Sequence, residues 1–222
     1  MKAHWILSVS FTVVCWLHLK PRAEFNGICL IVAFALLGFT SMLHALYYAF
    51  RNLVVGQSLA LAKIVKNEGT VELVVRPPRP WKVRAGQYVY LRAPGVRRWS
   101  FAESHPFSII WWEEGPDGKA VSISVLVRPE SGFTQALMAT RHTQLRVLID
   151  GPYGACKNIT SYDAAIMFAS DIGIAAQLPY VKSLLNYQLQ QLDMNGGTSR
   201  LTRRISLIWE LQEESKSILS YI

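Results

Sequence analysis

His105-Pro106-Phe107-Ser108-Ile109 sets an imidazole and a hydroxyl among apolar residues, a pattern able to meet the polar edge of a planar ring. Pro106 lacks an N–H for a strand ladder, so it suits the first position of a strand. That placement leaves neighbouring backbone groups and the Ser108 hydroxyl available to the polar edge of a ring. A structural reading stands beside it: Phe107 as a core residue and His105 as a histidine satisfied by its neighbours. Arg128-Pro129-Glu130-Ser131-Gly132-Phe133-Thr134 follows a predicted strand and opens a short predicted helix. Backbone N–H groups at such a start, with Thr134 and the charge of Arg128, can hold a pyrophosphate. A plain strand-to-helix turn has the same pattern. Ser170-Asp171-Ile172-Gly173 joins another strand to another helix, where a dinucleotide-binding crossover would sit. It has one glycine, and Asp171 would bring a carboxylate toward a phosphate unless its side chain turns away.

His4 and His18 pose a different chemistry. They lie fourteen residues apart in one charge-free run. At about 100° per residue they return to nearly one helix face, about 21 Å apart along the axis. Each could supply an axial ligand to one of two stacked haems, an arrangement that relays electrons across an apolar layer. Interfacial histidines that hydrogen-bond lipid headgroups would show the same spacing. His44 has no partner at such a spacing and is read as a packing or interfacial residue.

The elements that must position these groups follow from the distribution of apolar residues. Of 222 residues, 51% are hydrophobic. Residues 27–50 contain no charged side chain and exceed the roughly 20 residues a helix needs to cross a bilayer core. Residues 3–19 form a second charge-free run, flanked by Lys2 and Lys20. A signal peptide is the alternative there, but no small-residue cleavage pattern follows and a second apolar run comes at once. Two spanning helices are therefore expected, linked by Pro21 to Asn26. Basic residues at both ends leave their orientation open on charge alone.

From residue 59 to residue 150 the pattern shifts to short β-rich runs. Strands are predicted at 60–66, 70–76, 87–92, 106–111, 120–127 and 144–149, with one helix at 132–140. Six short strands with turn-rich gaps suggest a closed antiparallel barrel. Gly151-Pro152-Tyr153-Gly154 is a sharp turn leading out of it. Residues 164–169 and 204–209 read as buried strands around a helix from 173 to 192, the start of a parallel α/β domain. About sixty residues follow Asp163, fewer than such a domain usually holds.

The formal net charge is +8. Arg76, Arg79, Lys82, Arg84, Arg92, Arg97 and Arg98 are concentrated in the barrel region. They could face lipid headgroups or a phosphorylated cofactor, or form an ordinary solvated face. No nucleic-acid motif accompanies them, so nucleic acid is not an expected partner. Cys15, Cys29 and Cys156 form no CxxC pair, so neither a thiolate metal site nor a disulfide framework is expected.

In this order, the histidine pair in HWILSVSFTVVCWLH, AGQYVYL, SHPFSI, RPESGFT, GPYG, and IGIAAQLPYVKSLL followed by RRISLIW resemble the fungal ferric-chelate reductases. These belong to the superfamily of transmembrane NADPH oxidases and ferric reductases. The resemblance implies two transmembrane helices over 1–51, the last two of a haem-bearing core. A ferredoxin-reductase-type FAD-binding barrel would follow over 52–157, and a partial NADPH-binding α/β domain over 158–222. His4 and His18 would hold haem b. His105, Pro106, Phe107, Ser108 and Ile109 would meet FAD, with Arg128, Gly132, Phe133 and Thr134 closing over it. Ser170, Asp171, Ile172 and Gly173 would form the NADPH turn, although the family commonly has glycine where Asp171 stands. The resemblance is to an incomplete member, because upstream core helices and the rest of the NADPH domain are not in this sequence. The implied activity is electron transfer from NADPH through FAD and haem to an extracellular ferric chelate. It implies a protein in the plasma membrane, with its FAD and NADPH regions cytosolic. A superoxide-producing oxidase is an alternative of the same architecture. A non-catalytic membrane protein with a degenerate flavin fold is another.

Overall fold

The computed structural model describes residues 2–19, 24–54, 56, 59–67, 69–97, 100–155, 159–194 and 204–211. Arg98, Cys156 and the Lys20-Pro21-Arg22 connection lie outside these residues, as does the side chain of His4. The chain forms two compact units, Met1–Ala49 and Phe50–Ile222.

The first unit contains helix α1, Lys2–Leu19, and most of α2, Glu24–Asn52. Both helices fall on the predicted apolar runs. Among the described residues one helix segment, Gly27–Asn52, is long and apolar enough to cross a membrane. The apolar stretch Leu7–His18 in α1 is shorter than a span. Two helices thus occupy the two apolar runs, and among the described residues one of them has the length and composition of a span.

The second unit is built on six strands: β1 Ala60–Asn67, β2 Thr70–Arg76, β3 Tyr88–Arg92, β4 His105–Glu114, β5 Ala120–Val127 and β6 Gln144–Tyr153. They close into a barrel in the order β1-β2-β5-β4-β3-β6, with every pairing antiparallel. Alternation decides which side chains enter it, because successive residues of a strand face opposite sides. Leu73, Leu91, Ile109, Ile123, Val125 and Ile149 fill the interior with almost no exposure. Helix α3, Gly132–Ala139, plugs one part of this core with Phe133 and Leu137. Strand β4 runs three residues beyond its predicted end and β6 four, which sequence alternation alone does not show.

The first residues of this unit are bonded into the barrel. The Asn52 amide donates to the Ile149 carbonyl at 2.7 Å and accepts from the Ile149 N–H at 2.7 Å. The Arg51 guanidinium lies 4.0 Å over the Trp81 ring, and Arg79 lies 4.0 Å over Phe50.

Beyond the barrel, β7 Ala164–Ser170 pairs in parallel with β8 Arg204–Glu210, and α4 Ile174–Met194 connects them. This is the predicted βαβ crossover. Pro179 lies inside α4, in its second turn, where it removes one backbone N–H donor from the helix. Ala175 of α4 and the partly buried Ile172 pack against Ile110 and Leu126 on the barrel's outer face. That contact explains why β5 is buried along most of its length rather than on alternate residues.

Candidate functional site

Strand register assembles the first part of the site. Tyr88 pairs with Ser108 and Tyr90 with Pro106 across β3 and β4, while Tyr88 pairs with Tyr153 across β3 and β6. The three tyrosine rings cluster with centroids 5.7 to 5.8 Å apart. The Tyr153 hydroxyl donates to Asp150 Oδ1 at 2.6 Å, which fixes the ring's tilt. Gly154 completes the turn behind it: its φ is +98°, and a Cβ there would stand 2.7 Å from the Gly86 carbonyl oxygen. The result is an aromatic shelf on the outer face of the barrel. Pro106 and Ser108 are exposed beside it, and the Ser108 hydroxyl has no intramolecular partner among the described residues. A flat ring with polar edges fits such a surface.

The predicted site residues separate here by direction. Ile109 is buried in the barrel core, and Phe107 packs against that core. Phe133 is also a core residue. Any contact from Ile109 or Phe133 to a ligand would be through the backbone. His105 is the half-buried start of the strand. Its ring stacks on Phe133 with centroids 4.2 Å apart and planes 14° apart.

A second feature adjoins the first. Arg97 Nη2 donates to Glu103 Oε1 at 2.5 Å, and Glu103 Oε2 lies 3.4 Å from His105 Nε2. The Arg97 hydrogen bond holds the Glu103 carboxyl below the usual glutamate value, against a smaller opposing effect of desolvation. Arg97 also reaches the start of α3, where a Cβ on Gly132 would lie 3.6 Å from its Nη1. Gly132 has φ +60°, so glycine suits this position on backbone grounds. Ser131 caps α3 without a side-chain hydrogen bond, which leaves the helix N–H groups for a ligand. Arg128 is exposed just upstream. A helix start with two guanidinium groups nearby is suited to a pyrophosphate.

Thr134 does something different from what was expected. Its hydroxyl accepts from the Glu130 N–H at 3.1 Å and donates to the Ser131 carbonyl at 3.1 Å. It closes the loop that precedes α3, so its single proton is committed to the fold. Sequence reasoning gave no site role to Tyr88, Tyr90, Tyr153, Asp150 or Glu103, and named Arg97 only within a basic cluster that could face lipid headgroups or a phosphorylated cofactor. Alternation in Tyr88-Val89-Tyr90 was the available signal for a tyrosine face.

The turn from β7 to α4 makes the third feature. Asp171, Ile172 and Gly173 form a 3-10 turn. Asp171 has φ +45°, the one positive value at a non-glycine residue among those described. It is buried, and its carbonyl accepts from Trp209 Nε1 at 3.0 Å. Gly173 has no such requirement. Ser170 precedes the turn in extended geometry. Ile172 packs with Ile110, which lies two residues beyond Ser108 on β4. Two residues along a strand span about 7 Å, so this turn meets the barrel close to the tyrosine shelf.

For the histidine pair, His4 and His18 both lie on α1. The His18 side chain is exposed within its unit.

Residues 56–157 match the family described as an FAD-binding domain. A ferric/cupric reductase transmembrane component of Saccharomyces cerevisiae is 29% identical over 187 residues, covering 82% of this chain and 28% of that protein. A "probable cell surface ferric reductase" of Aspergillus oryzae is 24% identical, covering 93% of this chain and 28% of its own length. A respiratory burst oxidase homologue of Arabidopsis thaliana is 30% identical over 153 residues, covering 58% of this chain and 15% of its own length. The chain is similar over these stretches to members of the ferric reductase and NADPH oxidase superfamily, and the matches support that superfamily for it. It spans 28% of the length of the two fungal members of that superfamily. Its fold resembles an NADH-dependent reduced ferredoxin–NADP oxidoreductase, with a TM-score of 0.50 and 20% identity, covering 73% of this chain and 55% of that one. It also resembles the Plasmodium falciparum ferredoxin-NADP+ reductase, with a TM-score of 0.50 and 16% identity, covering 73% of this chain and 67% of that one. The barrel carrying the tyrosine shelf lies within the residues matched to the FAD-binding domain family.

Proposed function

We propose that the chain is the flavin-bearing portion of a transmembrane reductase that takes electrons from NADPH and delivers them to a ferric chelate across the plasma membrane. Residues 1–51 would lie in the membrane, 52–157 would bind FAD, and 158–222 would contribute to an NADPH-binding domain, both on the cytosolic side. The observation that carries this reading is the meeting of shelf and turn at Ile110 and Ile172. It would bring a ring on the shelf and a nucleotide at the β7–α4 turn into neighbouring positions.

Tyr88, Tyr90, Tyr153 and Pro106 would orient the flavin ring, and Ser108 would bond its polar edge. Arg97, Arg128 and the start of α3 would neutralise the FAD pyrophosphate. Ile110, Leu126 and Ile172 would keep water from the space beside the ring. FAD, when bound, supplies the conversion between two-electron and one-electron transfer. Such transfer requires no general acid or base on the protein. His4 and His18 would each help to hold one of two haem b groups, with further ligands supplied by other helices. Their fourteen-residue spacing supports that role. The names of the fungal relatives, a ferric/cupric reductase component and a probable cell surface ferric reductase, support ferric iron as the acceptor.

The test uses the full chain in detergent. FAD should bind in a defined ratio, and NADPH should bleach the bound flavin without oxygen. Joining the chain to the remaining core and nucleotide segments of a fungal relative should then permit ferric-chelate reduction. Folded protein that binds no FAD would overturn the proposal. Iron reduction that disappears when oxygen is removed would favour the oxidase reading instead.

A further inference from the structure

A second cavity lies on the same barrel face, farther along β4 than the shelf. Its volume is about 530 Å³, and β2, β4, β5 and α4 all contribute to its lining. Ile110, Leu126, Leu178 and Val181 make most of the walls apolar. Cavities of roughly 300–1,000 Å³ with a few placed polar groups are the usual form of small-molecule sites. This one has Lys182, Ser124 and Glu72 as its polar members.

Lys182 is unusually situated. Its ammonium lies 4.1 Å from the Trp111 ring centroid and 4.5 Å from that of Trp112. It donates to the Trp112 carbonyl. An ammonium has three donors, so this bond leaves two. Among the described residues no carboxylate lies within ion-pairing distance of it. Two carboxylates are near but otherwise engaged. Glu114 accepts from Trp112 Nε1 at 2.8 Å, and Glu113 accepts from Ser122 Oγ at 3.0 Å. Desolvation lowers the Lys182 pKa, and Glu114 and Glu113 offset it only in part. The side chain is therefore a half-buried cation with donors to spare and an apolar space beside it.

The geometry points to a binding site in this cavity for an aromatic monocarboxylate, held at its charged end by Lys182 and at its apolar end by Leu178 and Val181. The Trp111 ring in the cavity lining favours an aromatic ligand over a wholly aliphatic one. Glu72 in the lining disfavours a second negative charge, so the ligand class is a monoanion rather than a dianion. The site does not depend on flavin binding, and its failure would leave the proposed function untouched.

The experiment compares 2-naphthoate with its neutral counterpart 2-naphthamide by calorimetry, using the full chain in a non-ionic detergent. The unmodified protein should bind naphthoate at least tenfold more tightly. Lys182→Met should erase that preference, and Lys182→Arg should restore most of it. Leu178→Trp, which fills the cavity, should weaken both ligands at least tenfold. Equal affinities in the unmodified protein would overturn the proposal, whether or not any variant folds. A preference that survives Lys182→Met, or binding untouched by Leu178→Trp, would assign uptake to another part of the chain or to the micelle and would also overturn it.

Discussion

Replacing Asp171 by glycine separates two costs that coincide at one residue. The first is conformational. A left-handed backbone costs an L residue roughly 1–2 kcal/mol, with aspartate toward the lower end. Glycine removes that cost but adds about 0.4–1 kcal/mol of unfolded-chain entropy. At φ +45° the backbone part of the change is a stabilisation of between about 0 and 1 kcal/mol. The second cost is electrostatic. A carboxylate about 6 Å from a phosphate charge is opposed by about 3 kcal/mol at an effective dielectric constant near 20, and by less in salt. Asp171→Asn removes the charge and retains a residue that tolerates the left-handed region. NADPH affinity and thermal midpoint should therefore be measured for both variants, in protein completed with a related C-terminal segment. Asp171→Asn should gain most of the improvement in affinity, and Asp171→Gly should add any gain in stability. The reasoning fails if NADPH binds equally to all three proteins, because the carboxylate then points away from the ligand. It fails on the conformational side if Asp171→Gly lowers the thermal midpoint.

Ser108→Ala should weaken FAD binding by about 0.5–1.5 kcal/mol in a flavin titration and leave the thermal midpoint of the FAD-free protein nearly unchanged. Thr134→Ala should do the reverse, lowering the midpoint of the FAD-free protein through loss of the loop bonds to Glu130 and Ser131. Asn52→Ala leaves the Ile149 N–H and carbonyl without this partner and should destabilise the barrel by about 2–4 kcal/mol in thermal or denaturant unfolding. Glu103 has a folded pKa below its ordinary value of 4.5, so its contribution is intact above that pH and is lost as the pH falls through the lowered value. Glu103→Gln should remove that acid-dependent component from a series of thermal midpoints taken between about pH 6 and about pH 3.

Much of the fold was legible because its signals are local. Period-two alternation and Gly/Pro breaks placed all six barrel strands, and the β-rich runs at Ala164 and Arg204 marked the parallel pair. The strand ends were less legible. Beyond residue 111, β4 continues because β5 pairs with it through Glu114, a partner that local pattern does not name. The site divides in the same way. Pro106 and Ser108 were recognisable by type, but register is what sets them beside Tyr88 and Tyr90. Arg97 was one of several arginines until the β3–β4 loop carried it to Gly132. Thr134 was ambiguous because a hydroxyl at a helix start can cap the chain or greet a ligand, and its distances show it closing the loop before α3.

The position of Ile110 ties these observations to function. It follows Ser108 by two residues on β4, and its side chain is buried beneath the segment that begins α4. A bulge between Ile109 and Trp111 interrupts the pairing with β5 at that point. Such an irregularity re-aims the residues around it. Upstream of the bulge, outward side chains are exposed and available to a ring. Beyond it, they meet α4 and the cavity containing Lys182. One strand therefore serves the shelf at its start and the nucleotide-turn segment at its middle. The spacing between them is set by the rise of a β-strand rather than by a flexible linker. An electron path that passes from the turn to the shelf would be held at that spacing by backbone hydrogen bonds.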